Sequence, residues 1–148
     1  MNRFLFWQRW LFVVGLAIAL FGLAMALFSG TSFFSWLFDS RINPVFWGAE
    51  NLPPAAEAFQ RFIYGVLGAT IAGWGTVIAF IAHVPFKNKE LWAWNSLLAG
   101  LLIWYVVDTS ISVYFAVYFN ALFNTLLFVL VMFPLALSKN QFTHHPVP

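Results

Sequence analysis

The sequence predicts an all-α integral membrane protein with four transmembrane helices and an interfacial segment between the first and the second. Three observations carry that expectation. Charged residues make up 8% of the chain and hydrophobic ones 62%, whereas a soluble domain carries about 25% charged residues. Four apolar stretches have about the length an α-helix needs to cross a ~30 Å hydrocarbon core. Between the first two lies a long connection containing "SFFSWLF", too aromatic for a free coil. The 148 residues suit a single domain. The chain has no cysteine, which excludes disulfides, thiolate metal sites and a cysteine nucleophile. The formal charge of +2 is small and dispersed, which argues against a nucleic-acid partner.

The first span covers about residues 7–28, "WQRWLFVVGLAIALFGLAMALF", headed by Arg3 and Arg9. A basic start, an apolar middle and "AMA" at 24–26 also resemble a secretory signal. The apolar run outlasts a signal core, so the expectation is a retained helix. Hydrocarbon gives apolar helices little reason to associate, and close packing depends on small residues. Gly15, Ala19, Gly22 and Ala26 recur at helical spacing and form such a seam.

Residues 29–57 form the outer loop, much longer than an ordinary helix connection of about two to eight residues. Phe33, Phe34, Trp36, Leu37 and Phe38 suit the headgroup layer, which predicts a segment lying on the membrane surface. A lid over a lateral pocket or a docking surface for another subunit is the sharper reading. Pro53-Pro54 followed by Glu57 marks the next helix start, with proline in the first turn and an acid near the positive helix end.

The second span covers about 58–82. Its small residues Gly65, Gly68, Ala69, Ala72, Gly73, Gly75 and Thr76 cover more than one face. Such a helix suits two helical neighbours, or one neighbour and a flat rigid ligand. Trp74 lies mid-span between Gly73 and Gly75, as a packed indole or as a ring reaching a cofactor plane. His83 closes this span before Pro85, as an interfacial hydrogen-bonder or as a ligand to a haem or chlorophyll metal.

The third and fourth spans cover about 91–107 and 113–137. A single helix from Leu91 to Leu137 would be roughly 70 Å long, so the chain is expected to turn at "DTSIS", residues 108–112. Asp, Thr and Ser there would cap the amides opening the next helix. Ser96 and Gly100 give the third span a small face. In the fourth, Asn120 and Asn124 lie four apart on one face, with Ala116 one turn earlier. Carboxamides facing lipid cost several kcal/mol, so both should face inward. Their expected partners are Thr70, Thr76, Asn95, Ser96 or a backbone carbonyl, with a ligand carbonyl or hydroxyl as the alternative.

Basic residues set the orientation. Arg3, Arg9, Lys87, Lys89 and Lys139, less Glu90, share one side; Arg41 and Arg61, less Asp39, Glu50, Glu57 and Asp108, share the other. This places both termini, and the tail at 138–148, in the cytoplasm of a bacterium whose inner (cytoplasmic) membrane holds the chain. Trp7, Trp10, Trp36, Trp47, Trp92, Trp94 and Trp104 are expected in the interfacial belts.

No acid or base is expected deep in a span, which argues against a proton relay or coupled ion path. No phosphate loop and no set of metal ligands appears; His144 and His145 lack supporting ligands. No catalytic residue and no metal site are therefore designated. The leading expectation is an accessory subunit of a larger membrane complex, of the respiratory or photosynthetic kind, contacting membrane lipids and other subunits. A second is a binder or small carrier of a lipophilic ligand, such as a lipid, quinone or pigment, held by His83, Trp74, Asn120 and Asn124. A third is a membrane enzyme on an apolar substrate, with Asp108, His83 or a tyrosine as acid or base.

Overall fold

The structure, a computed structural model, describes residues 3–49 and 51–142. Glu50 and the tail residues 143–148, with His144 and His145, lie outside the described residues. The elements are α1 (Arg3–Phe28), α2 (Ser32–Phe34), a π-helical turn (Ser35–Asp39), α3 (Ser40–Trp47), α4 (Pro54–His83), α5 (Leu91–Tyr114), α6 (Tyr118–Ser138) and a short 3-10 turn (Lys139–Gln141). Four of them, α1, α4, α5 and α6, are long and apolar enough to cross a membrane. The protein is a four-helix membrane protein. Helix α1 packs against α4 and α6, and α5 packs against α6 and α4, which closes the four spans into a ring. The helices α2 and α3 form a strap across the end opposite the N-terminus, called distal below.

The α1–α4 pair is the tightest contact, and its cause is a shared motif. Both helices read G-x-x-x-A-x-x-G-x-x-x-A: Gly15, Ala19, Gly22 and Ala26 on one, Gly68, Ala72, Gly75 and Ala79 on the other. Alternating steps of four and three keep a narrow stripe facing its partner along the whole contact. Gly15 sits on Ala79, Gly75 on Ala19, Gly22 on Ala72 and Gly68 on Ala26. As one chain advances the other retreats by equal steps, the register of two antiparallel copies of one stripe. A Cβ added at Gly68 would stand 2.6 Å from the Gly22 carbonyl oxygen, and one at Gly15 would stand 2.7 Å from the Ala79 nitrogen. Backbone therefore lies on backbone, the close approach that drives helix association where hydrophobic burial cannot. Toward the terminal end Gln8, 4% exposed, donates from Nε2 to the Ala82 carbonyl at 3.0 Å, satisfying a group in the last turn of α4.

Helix α6 carries Pro134 in its interior. Proline has no N–H and leaves the carbonyl four residues back unpaired, here that of Leu130. Trp10 of α1 supplies the missing donor, its Nε1 reaching the Leu130 oxygen at 3.0 Å. Trp94 of α5, 9% exposed, donates to the Leu135 carbonyl at 2.9 Å, and the Ser138 hydroxyl donates to the Pro134 carbonyl at 2.7 Å. Trp94 is thus a buried clamp in the first turn of α5. Broken helices persist in membranes only when neighbours re-satisfy the freed groups. Trp10→Phe is expected to destabilise the bundle by about 1–2 kcal/mol. In a Pro134→Ala background, which restores the N–H, the same change should be nearly neutral. A double-mutant cycle of thermal unfolding in detergent checks this, and additive losses would show that the indole does not replace the proline's bond.

The third and fourth spans differ from expectation at their junction. Residues 108–112 are helical, and the chain turns at Phe115, Ala116 and Val117. Ala116 adopts φ +59°, the Val117 N–H bonds the Ser112 carbonyl, and the Ala116 N–H bonds that of Val113. This is the helix stop in which a left-handed residue closes two carbonyls. Glycine usually occupies that position, so an alanine gave no signal. Ala116 accordingly lies in the turn and not on the face of Asn120 and Asn124. Asp108, expected in a loop, stands six residues inside α5, roughly 9 Å from its end.

Candidate functional site

Polar chemistry concentrates at the distal end in two places. The first is a knot between α5 and α6. Asp108 Oδ1 accepts from Asn120 Nδ2 at 2.9 Å, from Asn124 Nδ2 at 2.9 Å and from Ser112 Oγ at 3.2 Å. Asn120 Nδ2 also reaches Ser112 Oγ at 2.8 Å. Asp108 and Ser112 are four apart on α5, Asn120 and Asn124 four apart on α6, and the tight turn brings the two pairs face to face. Asn120 is the third residue of α6, so the carboxylate lies against the positive end of that helix. Asn124 is 2% exposed. The carboxamides do face inward, but toward Asp108 and Ser112, not toward Thr70, Thr76, Asn95 or Ser96. With both amide nitrogens engaged, the knot ties the hairpin together.

The second place is a cleft of about 440 Å³ between the strap and the first turns of α4. Glu57, Gln60, Arg61 and Tyr64 recur at helical spacing and give α4 one polar face here. From the strap come Ser32, Ser35 and Asp39. The strap holds its place by burying Phe34 and Phe38 against Met25 and Tyr64, and Phe38 against Phe119 of α6. Below them Asn43, 3% exposed, accepts from Gln60 Nε2 at 2.6 Å. The π turn adds a residue to the helical repeat and so turns Asp39 toward α4, where it neighbours the Tyr64 hydroxyl. Arg61 pairs with Glu57 at 2.5 Å. Asp39 Oδ1 is buried and meets no donor among the described residues.

A third feature is the second face of α4. A Cβ added at Gly65 or at Gly73 would meet nothing within 4 Å, and Ala69 between them is exposed. These three residues therefore lie outside the α1 seam that holds Gly68. They form a smooth stretch whose ends carry Phe62 and Phe80, 63% and 69% exposed.

The residues expected to hold a cofactor do not converge. Trp74 lies on Gly100 of α5, where a Cβ would stand 2.6 Å from its ring, so the glycine makes room for the indole. His83 sits at the terminal end, its ring 5.2 Å from that of Phe12. Asn120 and Asn124 belong to the opposite end of the bundle. Sequence reading missed Asp39 and the role of Asp108. The two i, i+4 polar pairs were the signal for Asp108, readable only with the turn placed at 115–117. No protein family, curated protein or solved structure matches this chain.

Proposed function

We propose that this chain is an accessory subunit of a larger membrane protein complex, seated against a transmembrane helix of another subunit through the second face of α4. The supporting observation is the unused stripe of Gly65, Ala69 and Gly73. Its neighbour on the same helix, the stripe from Gly68 to Ala79, is consumed by α1 at backbone contact. Small residues on a lipid-facing surface leave a shallow channel that acyl chains fill poorly and a helix fills well. Phe62 and Phe80 bracket the channel and would set the register of the incoming helix. The distribution of lysine and arginine supports an orientation with the termini in the cytoplasm and the strap outside, as in a bacterial inner membrane.

Extraction from native membranes in mild detergent, followed by native mass spectrometry, tests the reading. The unaltered chain should run with a second membrane protein. Gly73→Leu should release it while leaving the thermal stability of the isolated chain unchanged. A monodisperse chain running alone from native membranes would refute the proposal, and a mass of two identical chains would replace the foreign subunit with a second copy.

A further inference from the structure

A second cleft, of about 610 Å³, opens at the terminal end between the first turns of α1 and the close of α6. Arg3 and Gln141, both exposed, give it a polar mouth. Phe6, Trp7 and Leu137 give it an apolar wall, with Phe6 and Leu137 open to the surroundings. Arg3 meets no acid among the described residues, whose one ion pair, Arg61 with Glu57, belongs to the distal end. A second cation stands beside the cleft. Lys89, on the connection between α4 and α5, donates from Nζ to Gln141 Oε1 at 3.1 Å, and its Nζ lies 5.3 Å from the Phe4 ring centroid. Gln141 and Phe4 both border the cleft. With its oxygen engaged, Gln141 still offers its amide N–H groups. The neighbouring acid, Glu90, is occupied in accepting from Trp92 Nε1. Lys89 also holds φ +62°, a left-handed conformation that glycine, asparagine and aspartate adopt far more readily than lysine. Glycine would fit this turn without strain, so a lysine there points to a use for its side chain.

We propose that this cleft binds the phosphate of an anionic phospholipid. Arg3, Lys89 and Gln141 supply N–H donors at its mouth, the groups that recognise phosphate oxygens. The start of α1 and the end of α6 put that mouth at headgroup depth. The wall of Phe6, Trp7 and Leu137 takes the first acyl carbons, and Phe133, edge-on to Trp7 at 5.4 Å, continues it along α6. Net charge selects among lipids. No carboxylate lines the cleft, so a headgroup with its own ammonium adds a third positive charge to two already present. Phosphatidylglycerol brings only the negative one. Basic pockets between spans at a membrane surface bind anionic headgroups for this reason. A free phosphate shares the oxygens and lacks the acyl chains. The site lies apart from the open face of α4 and does not depend on the accessory-subunit reading.

The test uses the full chain in nanodiscs of mixed phosphatidylglycerol and phosphatidylcholine, read by native mass spectrometry of retained lipid and by thermal unfolding. Phosphatidylglycerol should be retained about tenfold over phosphatidylcholine, a difference of roughly 1.4 kcal/mol. Arg3→Gln and Lys89→Gly should each cut that preference about threefold, and together abolish it. Lys89→Gly relieves the left-handed backbone and should not lower the unfolding temperature, so its lost preference reports binding. Lys139→Gln removes an equal charge from the same end, beside the Trp94 ring and outside the cleft lining, and should leave the preference intact. If Lys139→Gln costs as much preference as Lys89→Gly, diffuse surface charge explains the effect and the site is overturned. Equal retention of the two lipids by the unaltered chain overturns it as well. Inorganic phosphate added to phosphatidylcholine discs separates the other source: a stabilising shift that Arg3→Gln removes would replace the lipid with a soluble phosphate. Should Lys89→Gly fail to fold, Arg3→Gln, at the exposed start of α1, carries the comparison with Lys139→Gln.

Discussion

Gly22→Leu is expected to separate α1 from α4 and to abolish the folded bundle. Any side chain at this position meets the backbone of Ala72 and the carbonyl of Gly68, neither of which can rotate aside. Overpacking a yielding core costs about 1–3 kcal/mol, and a backbone-to-backbone contact lies at or beyond the top of that range. Even Gly22→Ala should cost about 2–3 kcal/mol for the same reason. Gly75→Leu, which meets Ala19, should behave alike. Gly65→Leu and Gly73→Leu enter open space on the same helix and act as controls, with stability unchanged. Thermal unfolding in detergent, with helix content followed alongside, separates the two classes. Equal tolerance at Gly22 and Gly73 would mean that α1 and α4 do not meet along this stripe.

Asp108→Ala is the second large effect expected. It removes the acceptor from Asn120 Nδ2, Asn124 Nδ2 and Ser112 Oγ together. Bonds between transmembrane helices average only ~0.6 kcal/mol, because partly unfolded helices find other partners in the membrane. Bonds to a charged acceptor are stronger, about 1.5–3 kcal/mol, and two of the three here cross from α6 to α5. A loss of about 3 kcal/mol follows. Asp108→Asn keeps a carbonyl oxygen for the carboxamides and should lose about 1 kcal/mol. The double change Asn120→Ala with Asp108→Ala should cost less than the sum of its parts, because the two residues share one bond. Strict additivity in unfolding measurements would break the network apart. Asp108, expected in the connection, lies inside α5 six residues from its end, with its Oδ1 accepting from two side chains of α6.

The small-residue seam was legible in composition and spacing, although hydrophobicity itself is nearly uniform around α1. A helix apolar on every side has no amphipathic signature, so the position of glycine and alanine was the usable signal. That signal named the residues of α1 and listed those of α4 without dividing them between faces. The division needed the partner: Gly68 and Gly65 are both smooth, and only one lies under α1. The candidate sites were less legible still. Asp39 owes its orientation to a π turn, and Asp108 owes its partners to a turn built on Ala116, where no glycine or proline marked the spot. Both features arise from backbone conformations that many sequences can adopt when packing selects them.

Composition and span length by themselves determined that this chain lives in lipid, crosses it four times and lays an aromatic segment between the first two crossings. Those properties follow from transfer free energies summed over whole segments, so no single contact alters them. Tertiary structure alone decided which side chains meet: Trp10 with the carbonyl freed by Pro134, two asparagines with Asp108, the Tyr64 hydroxyl with Asp39. In a medium without water each polar group must find its partner within the protein, and several of them find it on another helix. Helix rotation and turn position choose that partner, and neither is written in one residue.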